Sequence, residues 1–395
     1  MTARESLART LKLIVGSCLC LGVLSGSPAL GAAAPGAAAP GAADDGPRAA
    51  PASSWPVFRG NAEMTGIAGS TLPAEPKVLW AVDLGADIES TAAIDGGTVY
   101  VGDFEGRLHA VDLATGKQKW TYQAKSAIQA APSVHDGMVF VGDEWGMFHA
   151  VDADTGKAAW TFETQGEIVS SATFDGDRVL FGSYDQNLYA LDRTTGELAW
   201  KVETEGYVHA TPAIIGGVTT VSGCDGYLWL VDVKDGRVID KIVLGGQAGA
   251  TPAMAGGKAF IGTYENQVVA VDVEQRKIAW VYEHPKRKFP YYASAAVTGD
   301  RVLIAGRDKI LRSLDPENGE THWEWNSGGR IDSSPVVVGG RAFLGTQTGA
   351  VVAVDLENGE PAWQFETGSG IVASPAVAAG KLVIGTVDGM LYCFG

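Results

Sequence analysis

From about residue 77 to residue 395 the chain breaks into short apolar runs, each ended by a cluster of Gly, Asp or Asn. No stretch sustains the three-to-four-residue spacing of an amphipathic helix. Residues 128–160 carry the pattern clearly. Ile128 to Val134 is one run, and His135-Asp136-Gly137 is a hairpin turn. Met138 to Val141 is a second run and Phe148 to Val151 a third, with Asp143-Glu144-Trp145-Gly146 between them. Asp154-Thr155-Gly156-Lys157 then leads into a fourth run that carries Trp160. Runs of this length between such turns predict four short antiparallel strands.

The unit recurs. Trp80, Trp120, Trp160, Trp200, Trp280, Trp323 and Trp363 are 40 residues apart, with one spacing of 43, once Asp240 is counted in the place of a missing member. Asp112, Asp152, Asp192, Asp232, Asp272, Asp315 and Asp355 keep the same period. Two series with one period define four-stranded units repeated around an axis, which are propeller blades. The inner strands, anchored at Ala92, Pro132, Ala172, Pro212, Pro252, Ala295, Pro335 and Pro375, count eight of them. The first segment (Lys77 to Leu84) is a spare outer strand, and the last blade ends on its third strand (Leu391 to Phe394). Joining the two removes both exposed edges. The expected fold is all-β: an eight-bladed β-propeller over residues 75–395, its ring closed by N- and C-terminal strands.

The segments HAVDLATGKQKW (His109–Trp120), HAVDADTGKAAW (His149–Trp160) and YALDRTTGELAW (Tyr189–Trp200) resemble the tryptophan-docking repeat of the PQQ-like (pyrroloquinoline quinone repeat) propeller family. That family includes quinoprotein alcohol dehydrogenases and the outer-membrane assembly factor BamB. The motif WPVFRG (Trp55–Gly60) is similar to the leader of many exported members, which sets residues 55–74 apart as a leader segment. The resemblance implies that each Trp packs between neighbouring blades. Asp240 breaks the series, so the junction after blade 4 is expected to pack differently, and Asp240→Trp to leave stability unchanged or raise it.

Composition changes the picture at the N-terminus. Arg4, Arg9 and Lys12 precede the apolar run Leu13 to Leu24, and small residues follow up to Gly31, which is the pattern of an export signal over residues 1–31. Residues 32–54, rich in Ala, Pro and Gly, are expected to be a flexible linker. Val15-Gly16-Ser17-Cys18 resembles a short lipoprotein box, and lipidation of Cys18 would give peripheral membrane association. The expected location is the periplasm or cell envelope, with secretion as the alternative. A net charge of −16 argues against nucleic acid as a partner. An apolar content of 46% argues against disorder.

The Asp and Trp series recur in every blade and are scaffold, whereas a binding site is built once. Repeat symmetry fails on the strands that line the channel. The third residues upstream of the anchors are Glu89, Gln129, Val169, His209, Gly249, Tyr292, Asp332 and Val372. The fifth, on the same face of an alternating strand, include Asp87, Glu167, Tyr207 and Arg330. Candidate ligand- or partner-binding residues at this channel mouth are Glu89, Gln129, Tyr207, His209, Tyr292, Arg330 and Asp332. A polar channel without a ligand is the other reading of the same residues. The loops after the second strands, with Glu105, Glu144, Trp145, Asp185, Tyr264 and Arg307, are expected to share the mouth. A second candidate is the three-residue insertion in blade 6, where Lys286, Arg287, Lys288 and Phe289 make a basic, aromatic knob suited to a protein partner.

No His pair has metal-ligand spacing, and no calcium loop is present, so no metal site is expected. His109 and His149 occupy equivalent repeat positions and belong to blade packing. Cys224 and Cys393 fall in blades on opposite sides of the ring, so no disulfide between them is expected and they are free or buried thiols. The resemblance implies two functions. One is an exported, monomeric, non-catalytic scaffold that binds envelope proteins, as BamB does. The alternative is a quinoprotein dehydrogenase holding pyrroloquinoline quinone and calcium. Enzymes of the family carry adjacent cysteines and Asn, Glu and Asp ligands; here no two cysteines are adjacent and no Asn lies on an inner strand. No enzyme and no cofactor are therefore expected. A third reading, a small-ligand or carbohydrate-binding propeller, rests on the aromatic residues Trp145, Tyr184, Tyr207 and Tyr264.

Overall fold

A computed structural model describes residues 46–395; the export signal, Cys18 and most of the Ala/Pro/Gly-rich linker lie outside the described residues. Within it, blade 2 forms as the pattern dictates. Ser133–His135, Met138–Gly142, Met147–Asp152 and Ala158–Glu163 make one antiparallel meander from channel to rim. Asp136 and Gly137 both take positive φ, 46° and 73°, as a two-residue hairpin turn demands. The middle strands are buried on both faces, and the outer strand alternates exposed with half-buried positions. Seven other sheets repeat this order, and no helix occurs among the described residues. The eighth blade takes its outer strand from the other end of the chain: Val78–Asp83 pairs with Met390–Phe394, setting Trp80 opposite Cys393 and Val82 opposite Leu391.

The tryptophans are clasps between blades. Each indole N–H of Trp80, Trp120, Trp160, Trp200, Trp280 and Trp323 donates to a carbonyl of the following blade, at 2.9–3.2 Å. Each ring also lies on a glycine of that blade. Trp363, in the seventh blade, packs edge-on against Phe394 of the closing blade. At the junction after blade 4, Asp240 keeps its place in the strand opposite Leu230, and Ile239 and Val273 pack there against an aliphatic cluster.

The innermost strands are shorter than the apolar runs predict. Ile128 to Val134 was expected to be one strand, but pairing begins only at Ser133. The cause lies at the hub, where N–H groups that would extend the sheet turn sideways instead. Ala131 N–H donates to Ser171 Oγ, Ser171 to Thr211 Oγ1, Thr211 to Thr251 Oγ1, and so on through Ser294, Ser334 and Ser374 to Thr91. Seven hydroxyls thus girdle the channel, with a gap at Ala131. Proline at five anchors, having no N–H, removes the next ladder bond.

The leader is a plug. Its backbone circles one end of the channel and accepts hydrogen bonds from seven blades, six from the innermost strand and one, in the closing blade, from the turn just after it. Ile94 donates to Trp55, Val134 to Pro56, Ile214 to Ala62, Met254 to Glu63, Val297 to Thr65, Val337 to Gly66, and Ala379 to Ala52. Ile67–Ala68 then adds a parallel strand to blade 7. Ala50 is buried and its N–H donates to Ile67, so residues 50–54 belong to this plug rather than to a linker. Arg59 is fully buried, donating to the carbonyls of Ala295 (3.1 Å) and Pro335 (2.5 Å), while burial pulls its guanidinium down to about 9.

Candidate functional site

At the end opposite the plug the channel opens as a cup of about 180 Å³, floored by Phe58 of the leader and walled by residues from all eight blades. All eight third-upstream positions line it, Glu89, Gln129, His209, Tyr292 and Asp332 among them, with the hydroxyl girdle beneath. Tyr207 and Arg330 do not line it. Both are exposed at the rim, because the chain there stops alternating: the Tyr207 and Arg330 carbonyls accept N–H bonds from Cys224 and Gln347 in the loops after the second strands. That bond recurs in every blade and turns the fifth-upstream side chains away from the cup.

A second tier stands above the wall, supplied by those same loops. Glu144 accepts the Gln129 amide at 2.6 Å, Tyr184 and the His209 Nδ1 are 2.6 Å apart, and the Tyr264 ring lies tilted by 33° against Tyr292 with centroids 4.7 Å apart. The Arg307 guanidinium forks onto Asp332 at 2.7 and 3.1 Å and lies 3.6 Å from the centre of the Tyr292 ring. Gln347 donates to the same Asp332 at 2.6 Å. Glu144, Tyr264 and Arg307 were anticipated; Gln347 was missed, although it occupies the repeat position of the other three. Of the remaining loop residues, Asp185 is turned away to Tyr189 and Asn187, and Trp145 stands 70% exposed. The hydroxyl girdle was also missed, although Ser or Thr precedes seven of the eight anchors.

Burial sets the charge states. Glu89 is raised to about 7, first by desolvation and then by Asp87, Asp332 and Glu144, with Arg307 opposing. His209 is lowered to about 4 by burial and is a neutral imidazole at pH 7. His109 and His149 are elsewhere, buried against Asp103 (2.8 Å) and Asp143 (3.2 Å), where they tie each blade's loop to its third strand. Cys224 and Cys393 are separate buried thiols.

The blade 6 insertion lies at the same end. Arg287 donates to the Asp308 carbonyl at 3.3 Å, beside Arg307, and Lys288 is ion-paired with Glu283. Lys286 and Phe289 remain exposed.

The quinone of the family's enzymes does not fit this cup. Pyrroloquinoline quinone is a three-ring tricarboxylate, whereas the only charged side chains in the lining are Glu89 and Asp332. A cavity of 150 Å³ holds a single benzene ring, so a cup of about 180 Å³ is small for three fused rings.

Indole-clasped blades in a closed ring of eight define a PQQ-like repeat propeller. The model of the family described as outer membrane protein assembly factor BamB matches residues 73–173, 149–239 and 233–394, and the chain belongs to that family. Among solved structures, BamB from Moraxella catarrhalis is 20% identical, with a TM-score of 0.70 over 81% of this chain and 97% of that one. A europium-containing methanol dehydrogenase is 14% identical, with a TM-score of 0.74 over 87% of this chain and 98% of that one. The quinohemoprotein alcohol dehydrogenase of Comamonas testosteroni is 14% identical, with a TM-score of 0.71 over 86% of this chain and 80% of that one. These likenesses are of fold. A comparison with curated protein sequences finds no match.

Proposed function

We propose that the protein is an exported, non-catalytic scaffold of the cell envelope, which binds a protein partner through the face that carries the cup. The observation behind this reading is the placement of exposed aromatic residues. Trp145, Tyr207 and Phe289, 70%, 40% and 50% exposed, come from blades 2 and 3–4 and the blade 6 insertion, and all three stand at the mouth end. Large aromatics are the side chains that most often anchor protein interfaces, and Tyr207 is held in place for one by stacking on Tyr184, with centroids 4.9 Å apart. Lys286 adds an unpaired positive charge at the edge of an acidic molecule, suited to setting the orientation of a partner. The export signal read in residues 1–31 and membership of the BamB family support the envelope as the location. The misfit of the quinone supports a function without that cofactor.

The test is crosslinking in the native envelope. Trp145→Ala combined with Phe289→Ala is expected to reduce the crosslinked partner by at least about tenfold, the loss typical of one interface anchor. Lys286→Glu, Arg287→Glu and Lys288→Glu combined are expected to slow capture and to reverse its salt dependence. Partner yields equal to wild type in both variants would remove the mouth face from the interface.

A further inference from the structure

We propose that the cup binds a small organic ammonium ion, with the Glu89 carboxylate as its counter-charge. The inference goes beyond the scaffold reading, and concerns the cavity rather than the exposed anchors around it.

The first argument is charge. No Lys or Arg lines the cup, and its two ionisable acids are Glu89 and Asp332. Asp332 is already satisfied, accepting two bonds from the Arg307 guanidinium and one from Gln347. Glu144 at the rim is held by Gln129. Glu89 is different: burial and the neighbouring charges of Asp87, Asp332, Glu144 and Arg307 act on it, and no donor among the described residues reaches its carboxylate. Two acids in one half-buried wall, one of them lacking a donor, make a site that a cation completes and an anion does not.

The second argument concerns the kind of cation. Among the described residues no three His, Cys, Asp or Glu side chains converge as they would around a metal ion. Hard divalent cations take six or more oxygens, which Glu89 with its surroundings does not assemble. An ammonium group asks less. It needs one carboxylate, hydroxyl oxygens for whatever N–H or O–H groups it carries, and aromatic or apolar surface for its carbon atoms. The girdle hydroxyls of Thr91, Ser294, Ser334 and Ser374 lie in the same wall, and Phe58 supplies the aromatic floor, the Tyr292 ring being covered already by Arg307 and Tyr264.

The third argument is size. A volume of about 180 Å³ is slightly larger than the cavity that holds benzene, so the occupant has roughly six to ten non-hydrogen atoms. Choline and putrescine are of that size.

The experiment is calorimetric titration of the chain lacking residues 1–31 with choline and with putrescine, beside calcium chloride alone and pyrroloquinoline quinone alone. At least one of the two ammonium probes is expected to saturate with a Kd of about 1 mM or tighter. Glu89→Gln, which keeps size and shape, is expected to weaken it by at least about tenfold, as is lowering the wild-type protein from about pH 8 to about pH 5, where Glu89 is protonated. The pH series on the wild type serves as the control should the variant fold poorly. Failure of both probes to saturate, wild-type affinity in Glu89→Gln, or displacement of the bound probe by calcium or the quinone at stoichiometric concentration would overturn the proposal. Envelope crosslinking through Trp145 and Phe289 reads a different surface, so loss of one result leaves the other standing.

Discussion

Six indoles lie on six glycines, and the contact leaves no room for a side chain. A Cβ added to Gly116, Gly156, Gly196, Gly236, Gly319 or Gly359 would come within 2.6–2.8 Å of the indole of the preceding blade. All six glycines also have φ between 68° and 75°. At the junction after blade 4 both partners change together: Asp240 replaces the indole, and Arg276, at φ 55°, replaces the glycine. By analogy with the other six junctions, a ring at position 240 would lie where position 276 carries a side chain, so Asp240→Trp is now expected to cost stability rather than leave it unchanged or raise it. Asp240→Trp alone is expected to destabilise by about 1–3 kcal/mol, as overpacking does. With Arg276→Gly added, the loss is expected to shrink and the two changes to couple by at least about 0.5 kcal/mol. Urea unfolding of the four proteins in the cycle measures this; additive effects would show that position 276 does not face the clasp. Asp240 was legible in the sequence as a gap in a periodic series. Arg276 was equally visible as the turn that lacks the glycine found at the equivalent place in the other six, but its meaning needed the knowledge that an indole rests on that glycine.

At the scale of elements, the strands were legible because they repeat and the plug was not because it occurs once. Periodicity located eight sheets and the strand exchange between the termini. It said nothing of residues 50–68, whose role is set by seven carbonyls that face seven different blades. WPVFRG was noticed as a motif, yet apolar pattern could not reveal that Phe58 floors a cup or that Arg59 sits among the Ala295 and Pro335 carbonyls. The same blindness affected the channel wall. Strict strand alternation placed Tyr207 and Arg330 beside Glu89, whereas hub hydrogen bonding ends the alternation before it reaches them. Removing residues 46–69 is expected to leave the amides of Ile94, Val134, Ile214, Met254, Val297, Val337 and Ala379 without their acceptors. Each lost bond is worth about 1 kcal/mol net, so the stability should fall by several kcal/mol. Hydrogen exchange should quicken at those seven amides before it does so in the second and third strands. Unchanged protection there would mean that the blades hold their inner edges without the plug.

Across the whole molecule, the cup concentrates two opposed titrations in one wall. Glu89 rises from 4.5 to about 7, so it binds a proton more readily folded than unfolded, and its contribution to stability is full below pH 4.5 and lost as pH rises through 7. His209 falls from 6.5 to about 4, so its contribution is full above pH 6.5 and lost as pH falls through 4. Each shift corresponds to on the order of 3 kcal/mol, and the windows overlap between about pH 4.5 and 6.5, where the two slopes cancel. Removing one group should therefore uncover the other. Relative to wild type, Glu89→Gln is expected to lose stability faster as pH drops from 7 to 4.5, and His209→Gln to lose it more slowly. Urea midpoints taken across that range for the three proteins give the comparison. Slopes that shift in the same direction in both variants would mean that the two groups do not titrate as their burial dictates. Opposite shifts would show that a ring of eight near-identical blades keeps a half-buried acid and a half-buried imidazole in one cavity without making the fold sensitive to mild acid.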